Sequence, residues 1–151
     1  MRTPEQLANV LESEAEVSEE LLVAMKEKQD SLIHFKADAM GAAVDRERLL
    51  LKQMQDLERQ RELIVADLVS GVPGLQRSSK NPTVRQIVPF VADDTGARLL
   101  DLAKRIKNVS GRVQRTNQQN RFLLDSSAKF IKNTLRILTE DHRRQLVDKT
   151  I

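Results

Sequence analysis

The sequence predicts an all-α, elongated fold: an antiparallel helical hairpin or coiled coil followed by a long third C-terminal helix. Apolar residues recur at helical spacing over long stretches. Only 3% of the 151 residues are aromatic, which is little for a compact core but enough for helices that share a narrow aliphatic seam. Three of the four prolines and three of the five glycines fall within residues 71–96. We therefore expect a single domain with one long loop.

The first helix is expected over about residues 4–36. Thr3 places a capping hydroxyl before Pro4 at the first helical position, which is typical of a helix start. Glu14 and Lys28 interrupt the apolar stripe, so either their stems lie along the seam with the charged ends in water, or the helix packs loosely. The stripe consists of Leu7, Val10, Leu11, Val17, Leu21, Met25, Leu32 and Phe35.

The second helix is expected over about residues 38–69, with Asp38 as its N-cap after a turn near Phe35 that contains neither Gly nor Pro. Its apolar residues follow alternating steps of three and four, a repeat that requires a partner helix on the same seam. Glu47 and Arg61 occupy two polar positions in this repeat. The repeat consists of Met40, Ala43, Leu50, Met54, Leu57, Ile64 and Leu68.

A loop over about residues 70–92 is expected to let the third helix cross to the other side of the hairpin. It begins at Gly71, a left-handed cap residue that ends the second helix before Pro73. Within the loop, residues 83–88 are expected to form one short helix, capped by Asn81 and ended before Pro89.

The third helix is expected from about residue 93 to about residue 140, followed by a flexible tail over residues 141–151. Its seam becomes polar and small after Val113, while a second apolar stripe appears beside it. The apolar face therefore widens where few hairpin residues remain to cover it, which predicts a binding surface. The seam consists of Leu99, Leu102, Ile106, Val109, Val113, Thr116, Asn120, Leu123, Ser127, Phe130, Thr134 and Ile137. The second stripe consists of Leu124, Ala128, Ile131, Leu135 and Leu138.

The sequence contains no recognisable pattern of catalytic or metal-binding residues. It has no cysteine, and its two histidines, His34 and His142, are far apart. Neither the Gly-x-Gly-x-x-Gly pattern of dinucleotide sites nor the phosphate-binding loop pattern occurs. We therefore expect a binding protein rather than an enzyme, with no metal site and no cofactor. The N-terminal residues lack the basic start and apolar core of a secretory signal, so we expect a cytoplasmic protein without membrane insertion.

The charge of the chain is unevenly distributed. Residues 1–70 hold nine Lys/Arg and fifteen Asp/Glu, a net charge of −6, whereas residues 71–151 hold sixteen and seven, a net charge of +9. The favoured interpretation is an acidic hairpin packed against a basic third helix, and the alternative is a basic half that meets an acidic partner. Nucleic acid is a less expected partner, because the basic residues are spread around the helix and no Tyr or Trp is available for stacking.

Two stretches of the chain resemble the flagellar export chaperone FlgN family. In residues 21–63, the resemblance lies in an acidic residue before Leu at the end of the first helix, an Asp that opens the second, and basic residues before a Leu pair. These are Asp30-Ser31-Leu32, Asp38, Arg46 to Arg48 and Leu49-Leu50. In residues 116–138, it lies in an Asn-x-x-Asn pair followed by Leu-Leu and an aromatic residue. These are Asn117, Asn120, Leu123-Leu124 and Phe130.

The resemblance implies a cytoplasmic chaperone of the flagellar type III secretion system. Such chaperones bind the C-terminal helical region of the hook-associated proteins FlgK and FlgL, prevent their premature assembly and deliver them to the export gate protein FlhA. The family has a tyrosine near the C-terminal end that is tied to gate docking, whereas this chain has no Tyr. Phe122 and Phe130 are the two candidate substitutes.

The resemblance and the widening apolar face together predict a partner-binding surface on the third helix. Its predicted members are Asn117, Asn120, Leu123, Leu124, Phe130, Ile131, Leu135 and Leu138. The runner-up hypothesis is a structural coiled-coil scaffold that self-associates through this helix, and the oligomeric state is left open.

Overall fold

The computed structural model describes residues 2–78 and 81–150, and it confirms the all-α prediction, since no strand occurs in these ranges. The elements are three long helices and three short helical segments between the second and third of them. They are α1 (Pro4–Ile33), α2 (Ala37–Gly71), α3 (Pro73–Ser78), α4 (Val84–Ile87), a 3-10 turn (Val88–Phe90) and α5 (Asp93–Thr150). None of the helices in the described ranges is long and apolar enough to cross a membrane.

The start of α1 is the predicted one. The Gln6 amide donates to the Thr3 hydroxyl at 3.3 Å, and the Thr3 amide donates back to the Gln6 side chain at 2.8 Å. These two hydrogen bonds form a capping box, which satisfies two amide groups that a helix start leaves without helical partners. Pro4 follows at the first helical position.

The turn between α1 and α2 differs from the prediction. Phe35 lies outside α1, is 76% exposed and adopts a left-handed conformation with φ 54°. The Lys36 amide donates to the Ser31 carbonyl at 2.9 Å, which closes a glycine-type helix cap without a glycine. The predicted N-cap Asp38 is wrong, because Lys36 is the N-cap and makes no side-chain capping bond. Asp38 instead lies in the first turn, where its negative charge interacts favourably with the positive end of the helix dipole.

The loop also differs from the prediction at three points. Gly71 is not left-handed, since no glycine in the described ranges has a positive φ; α2 ends because Val72 is extended before Pro73. Pro73 then starts α3, a helix that the sequence analysis did not predict. The predicted short helix exists but is capped by Thr83 rather than Asn81, because the Thr83 hydroxyl accepts a hydrogen bond from the Gln86 amide at 3.4 Å.

α1 is the central helix, and it packs against both α2 and α5. It runs antiparallel to α2, as the ion pairs Arg2–Asp67 and Lys28–Glu47 at opposite ends of the hairpin show. It runs parallel to α5, because Glu12 pairs with Arg98 and Glu19 with Arg105. The loop therefore connects the end of α2 to the start of α5, and both of these lie beside the N-terminal part of α1.

The core lies along α1 in two clusters. The larger one lies at the open end of the hairpin, where the start of α1 and the end of α2 pack against the loop and the start of α5. It contains Leu7, Ala8, Val10, Leu11, Ile64, Leu68, Leu75, Ile87, Leu99 and Leu102. The smaller one lies nearer the hairpin turn and contains Leu21, Ala24, Met25 and Leu50. Most of the predicted seam residues of α1, α2 and the first half of α5 are thus buried or half-buried.

The four polar interruptions of the hairpin seam pair with one another across the helices. Glu14 lies 3.2 Å from Arg61, and Lys28 lies 3.3 Å from Glu47. The Glu14 carboxylate is only 4% exposed, so its charged end is not in water. The two nearest atoms of the Glu14–Arg61 pair are misaligned and form no hydrogen bond. Burial therefore raises the pKa of Glu14 above its usual 4.5, against the opposing attraction of Arg61.

α5 extends past its predicted end near residue 140 and is helical to Thr150. The segment predicted as a flexible tail contains neither Gly nor Pro, the two residues that most strongly end a helix. Ile151 lies outside the described residues. At about 1.5 Å per residue, the 30 residues of α1 reach only about half as far as the 58 residues of α5. We call residues 125–150 of α5, which continue beyond the hairpin turn, the overhang.

Two buried or bonded carboxylates are expected to give opposite pH dependences of stability. Because the pKa of Glu14 is raised, its ionisation costs stability as the pH rises above 4.5. Glu14→Gln should therefore increase the free energy of unfolding at pH 7, and the increase should fade as the pH falls towards 4.5.

The matched control is Glu19→Gln. Hydrogen bonds from Arg105 lower the pKa of Glu19, so its contribution to stability is present above 4.5 and is lost as the pH falls through its folded value. This variant should be less stable than the wild type at pH 7, with a difference that vanishes at low pH. Urea unfolding at several pH values measures both. Shifts of the same sign in the two variants would contradict this assignment.

Candidate functional site

Two arginines in the first half of α5 pair with the acidic face of α1. Arg105 donates two hydrogen bonds to the Glu19 carboxylate, at 2.7 and 2.8 Å. Arg98 donates to the Glu12 carboxylate at 2.7 Å. These contacts confirm the favoured interpretation of the charge asymmetry, in which an acidic hairpin packs against a basic third helix.

A polar layer marks the place where α5 leaves α1. Asn120 is 2% exposed, and its side-chain amide donates to the Met25 carbonyl at 2.9 Å. Its side-chain oxygen is buried without a hydrogen-bond partner, which costs roughly 1–3 kcal/mol in a typical protein interior. Beside it, Gln29 donates to Gln119 at 2.9 Å. The packing of α5 against α1 therefore ends on a layer that contributes little apolar burial.

Beyond this layer two apolar stripes begin at Leu123 and Leu124 and continue along the overhang, where every side chain from residue 128 to residue 140 is exposed. The first stripe continues the α1-facing seam, with residues Leu123, Ser127, Phe130, Thr134 and Ile137. The second stripe lies beside it, with residues Leu124, Ala128, Ile131, Leu135 and Leu138. Leu123, Leu124 and Ser127 are half-buried, and all side chains from 128 to 140 are exposed.

The charged residues of the overhang lie on the side opposite the two stripes. Asp125, Lys129, Lys132 and Arg136 follow steps of four, three and four, which place them on one face of the helix. No ion pair joins Lys129, Lys132 or Arg136 to another residue of the described ranges. The overhang is therefore an amphipathic helix with a solvated charged face and an apolar face that lacks a neighbour.

The structure divides the predicted partner-binding residues into three groups. Phe130, Ile131, Leu135 and Leu138 are exposed on the overhang. Leu123, Leu124 and Asn117 are half-buried near its base. Asn120 is not exposed with the others, because its side chain lies in the α1–α5 interface. Ile137, a predicted seam residue, also belongs to the exposed group. It is exposed because α1 ends too early to reach it.

The histidines give no sign of a site. His34 follows the last residue of α1, where its ring nitrogen lies 2.9 Å from the Asp30 carbonyl and 3.1 Å from its carboxylate. The side chain of His142 lies outside the described residues. No group of three His, Cys, Asp or Glu is placed to hold a metal ion in the part of the chain that the structure describes.

Comparison with known proteins identifies a family. The family model described as FlgN protein matches residues 1–147, which is nearly the whole chain. No curated protein and no solved structure matches.

Hydrogen exchange is expected to distinguish the overhang from the hairpin. All side chains from residue 128 to residue 140 are exposed, so the amides of the overhang need only local fraying to exchange, whereas those of α2 need the hairpin to open. Amides of residues 125–140 should exchange orders of magnitude faster than those of residues 45–68 in the isolated protein. Equal protection of the two segments would show that the overhang is covered in solution.

Proposed function

Because the chain belongs to the FlgN family of flagellar export chaperones, we propose that it binds the C-terminal helical region of the hook-associated proteins FlgK and FlgL. The bound subunits are kept from assembling prematurely and are delivered to the export apparatus. The chaperone meets its partners before their export, which makes the cytoplasm its place of action. Binding alone accounts for this function, so the protein acts as a non-enzyme without a cofactor.

The overhang is the observation that supports this proposal. It presents an amphipathic helix whose apolar face has no neighbour among the described residues. An amphipathic helix of a partner that is not yet assembled also has an uncovered apolar face, and that face favours aggregation or premature assembly. Packing the two faces together removes both from water and leaves the charged residues of each helix in solvent.

The composition of the two stripes agrees with a non-covalent complex that must later dissociate. Ser127 and Thr134 lie in the first stripe, and Ala128 lies in the second. Burial stabilises a complex by about 25 cal/mol per Å² of apolar surface, so these small or hydroxylated side chains contribute less than the leucines beside them. The apolar face is therefore wide enough to recognise a partner helix, while Ser127, Ala128 and Thr134 limit the affinity of the complex.

Delivery to the export gate protein FlhA requires a second contact, and the chain has no tyrosine to make it. Two exposed aromatic residues are available near the base of the overhang. Phe130 is part of the first stripe and is covered when a hook-associated protein binds there. Phe122 is also exposed but lies outside both stripes, so it stays free in the complex. We assign the gate contact to Phe122.

Substitutions on the overhang should weaken partner binding without unfolding the chaperone. Ile131→Ser and Leu138→Ser each remove an apolar side chain of the overhang that is more than half exposed. Each should weaken binding to the C-terminal region of FlgK or FlgL by about tenfold or more, since burial of such a side chain contributes roughly 1.5–3 kcal/mol. Calorimetric titration gives the affinity, and thermal unfolding checks the fold.

The control is Lys129→Ser, on the charged face, which should change neither measurement. If melting falls sharply in the Ile131 and Leu138 variants while binding per folded molecule is unchanged, these residues form a core and the binding site lies elsewhere. Concentration-dependent self-association of the wild type, without binding to either hook-associated protein, would instead support the structural scaffold hypothesis.

A further inference from the structure

We propose that the overhang binds two helical segments of its partner side by side, so that the complex prolongs the helical bundle beyond the hairpin turn. The inference rests on the proposed function and adds to it the form in which the partner is held. It follows from the pattern of buried residues in the helices whose neighbours the structure shows.

A helix with two neighbours has a recognisable pattern in this chain. α1 packs against both α2 and α5, and it buries consecutive residues in pairs at spacings of three, four or seven. These pairs are Leu7-Ala8, Val10-Leu11, Glu14-Ala15, Leu21-Leu22, Ala24-Met25 and Ser31-Leu32. The first and second members of the pairs form two adjacent stripes, because consecutive residues lie about 100° apart around a helix.

A helix with one long neighbour has a different pattern. α2 packs mainly against α1, and its buried residues are single ones at Ala43, Leu50, Ile64 and Leu68. The first half of α5 likewise packs along α1 and buries single residues. These are Gly96, Leu99, Leu102, Val109, Thr116 and Asn120. A single narrow seam therefore accompanies a single long neighbour, as in a two-stranded coiled coil.

The overhang, together with the two residues before it, has the paired pattern of α1. Its uncharged consecutive residues recur at steps of four and three over five pairs. The pairs are Leu123-Leu124, Ser127-Ala128, Phe130-Ile131, Thr134-Leu135 and Ile137-Leu138. The second members are new in this part of α5, since Asn117 and Arg121 occupy the equivalent positions one heptad earlier. At about 100° per residue, the two stripes together span roughly 180° of the helix surface.

Continuity with the α1–α5 interface places the first of the two partner segments. The first stripe continues the seam that α1 covers up to Leu123, so a helix on this stripe takes the space that a longer α1 would fill. That helix leaves the far edge of the second stripe, at Leu135, exposed to water. A second helix is needed to cover it, as α2 and α5 together cover α1.

The absence of cysteine from the natural chain permits a direct test by alkylation of single introduced cysteines. Ile137→Cys reports on the first stripe and Leu135→Cys on the second; the natural side chains are 55% and 59% exposed. Lys129→Cys reports on the charged face. The two stripe positions lie roughly 160° apart around the helix, so one bound helix cannot cover both. Iodoacetamide reaction rates are measured for each full-length variant with and without FlgK.

We expect saturating FlgK to slow alkylation at Ile137→Cys and at Leu135→Cys by about tenfold or more, and to leave the rate at Lys129→Cys unchanged. Slowing at only one stripe position would show a single bound helix and overturn the inference while leaving the proposed function intact. If FlgK and FlgL form no complex with the wild type, the proposed function fails and the inference fails with it. Slowing that depends on chaperone concentration without partner would mean that a second copy occupies the stripes, which also overturns it.

Discussion

The end of α1 at Ile33 is the constraint on which the rest of the structure depends. α1 is the helix that α2 and α5 both pack against, so α5 loses its main neighbour where α1 stops. Nothing in the sequence of α5 stops that helix at the same level, and it continues to Thr150. An amphipathic pattern that would be ordinary core in a longer hairpin thereby becomes an exposed surface. The binding face is produced by a difference in helix length rather than by a cleft or a cluster of reactive groups.

Polar contacts along the seams determine where this difference falls. Within the hairpin, Glu14 faces Arg61 and Lys28 faces Glu47. A shift of α2 by one heptad would separate both pairs and leave the carboxylate of Glu14 buried without a cation, which is strongly unfavourable. Between α1 and α5, the hydrogen bond from Asn120 to Met25 has the same role, as single buried asparagines have in coiled coils. The register of α1 with α2 and with α5 therefore determines both the position of the hairpin turn and the point where the overhang begins.

Much of this arrangement was predictable because it depends on local periodicity. The buried seams of α1, α2 and the first half of α5 and the cap at Thr3 follow from residue spacing, and the structure confirms most of these positions. The pairing of Glu14 with Arg61 was not predicted, because it depends on the register between two helices rather than on either helix alone. The left-handed Phe35 was missed for a similar reason, since local preference places glycine there.

The predicted site shows the same division. Spacing alone identified the wide apolar face, including Phe130 and Ile131, but it gave no means of separating Asn120 from the exposed residues. Asn120 and Phe130 occupy the same seam, and only the position where α1 ends makes one a buried contact and the other an exposed one. The predicted helix end near residue 140 is too early, because charged residues solvate a helix but do not by themselves end it.

The most direct measurement compares the full chain with a chain that ends after Leu124, which keeps the described hydrogen bonds between α1 and α5 and removes the overhang. We predict that the shorter chain melts within about 4 °C of the full one, the shift that roughly 1 kcal/mol produces in a chain of this size. We also predict that it no longer binds FlgK or FlgL. Retention of full affinity by the shorter chain, or loss of its fold, would contradict the conclusion that the overhang is a surface for a partner rather than part of the core.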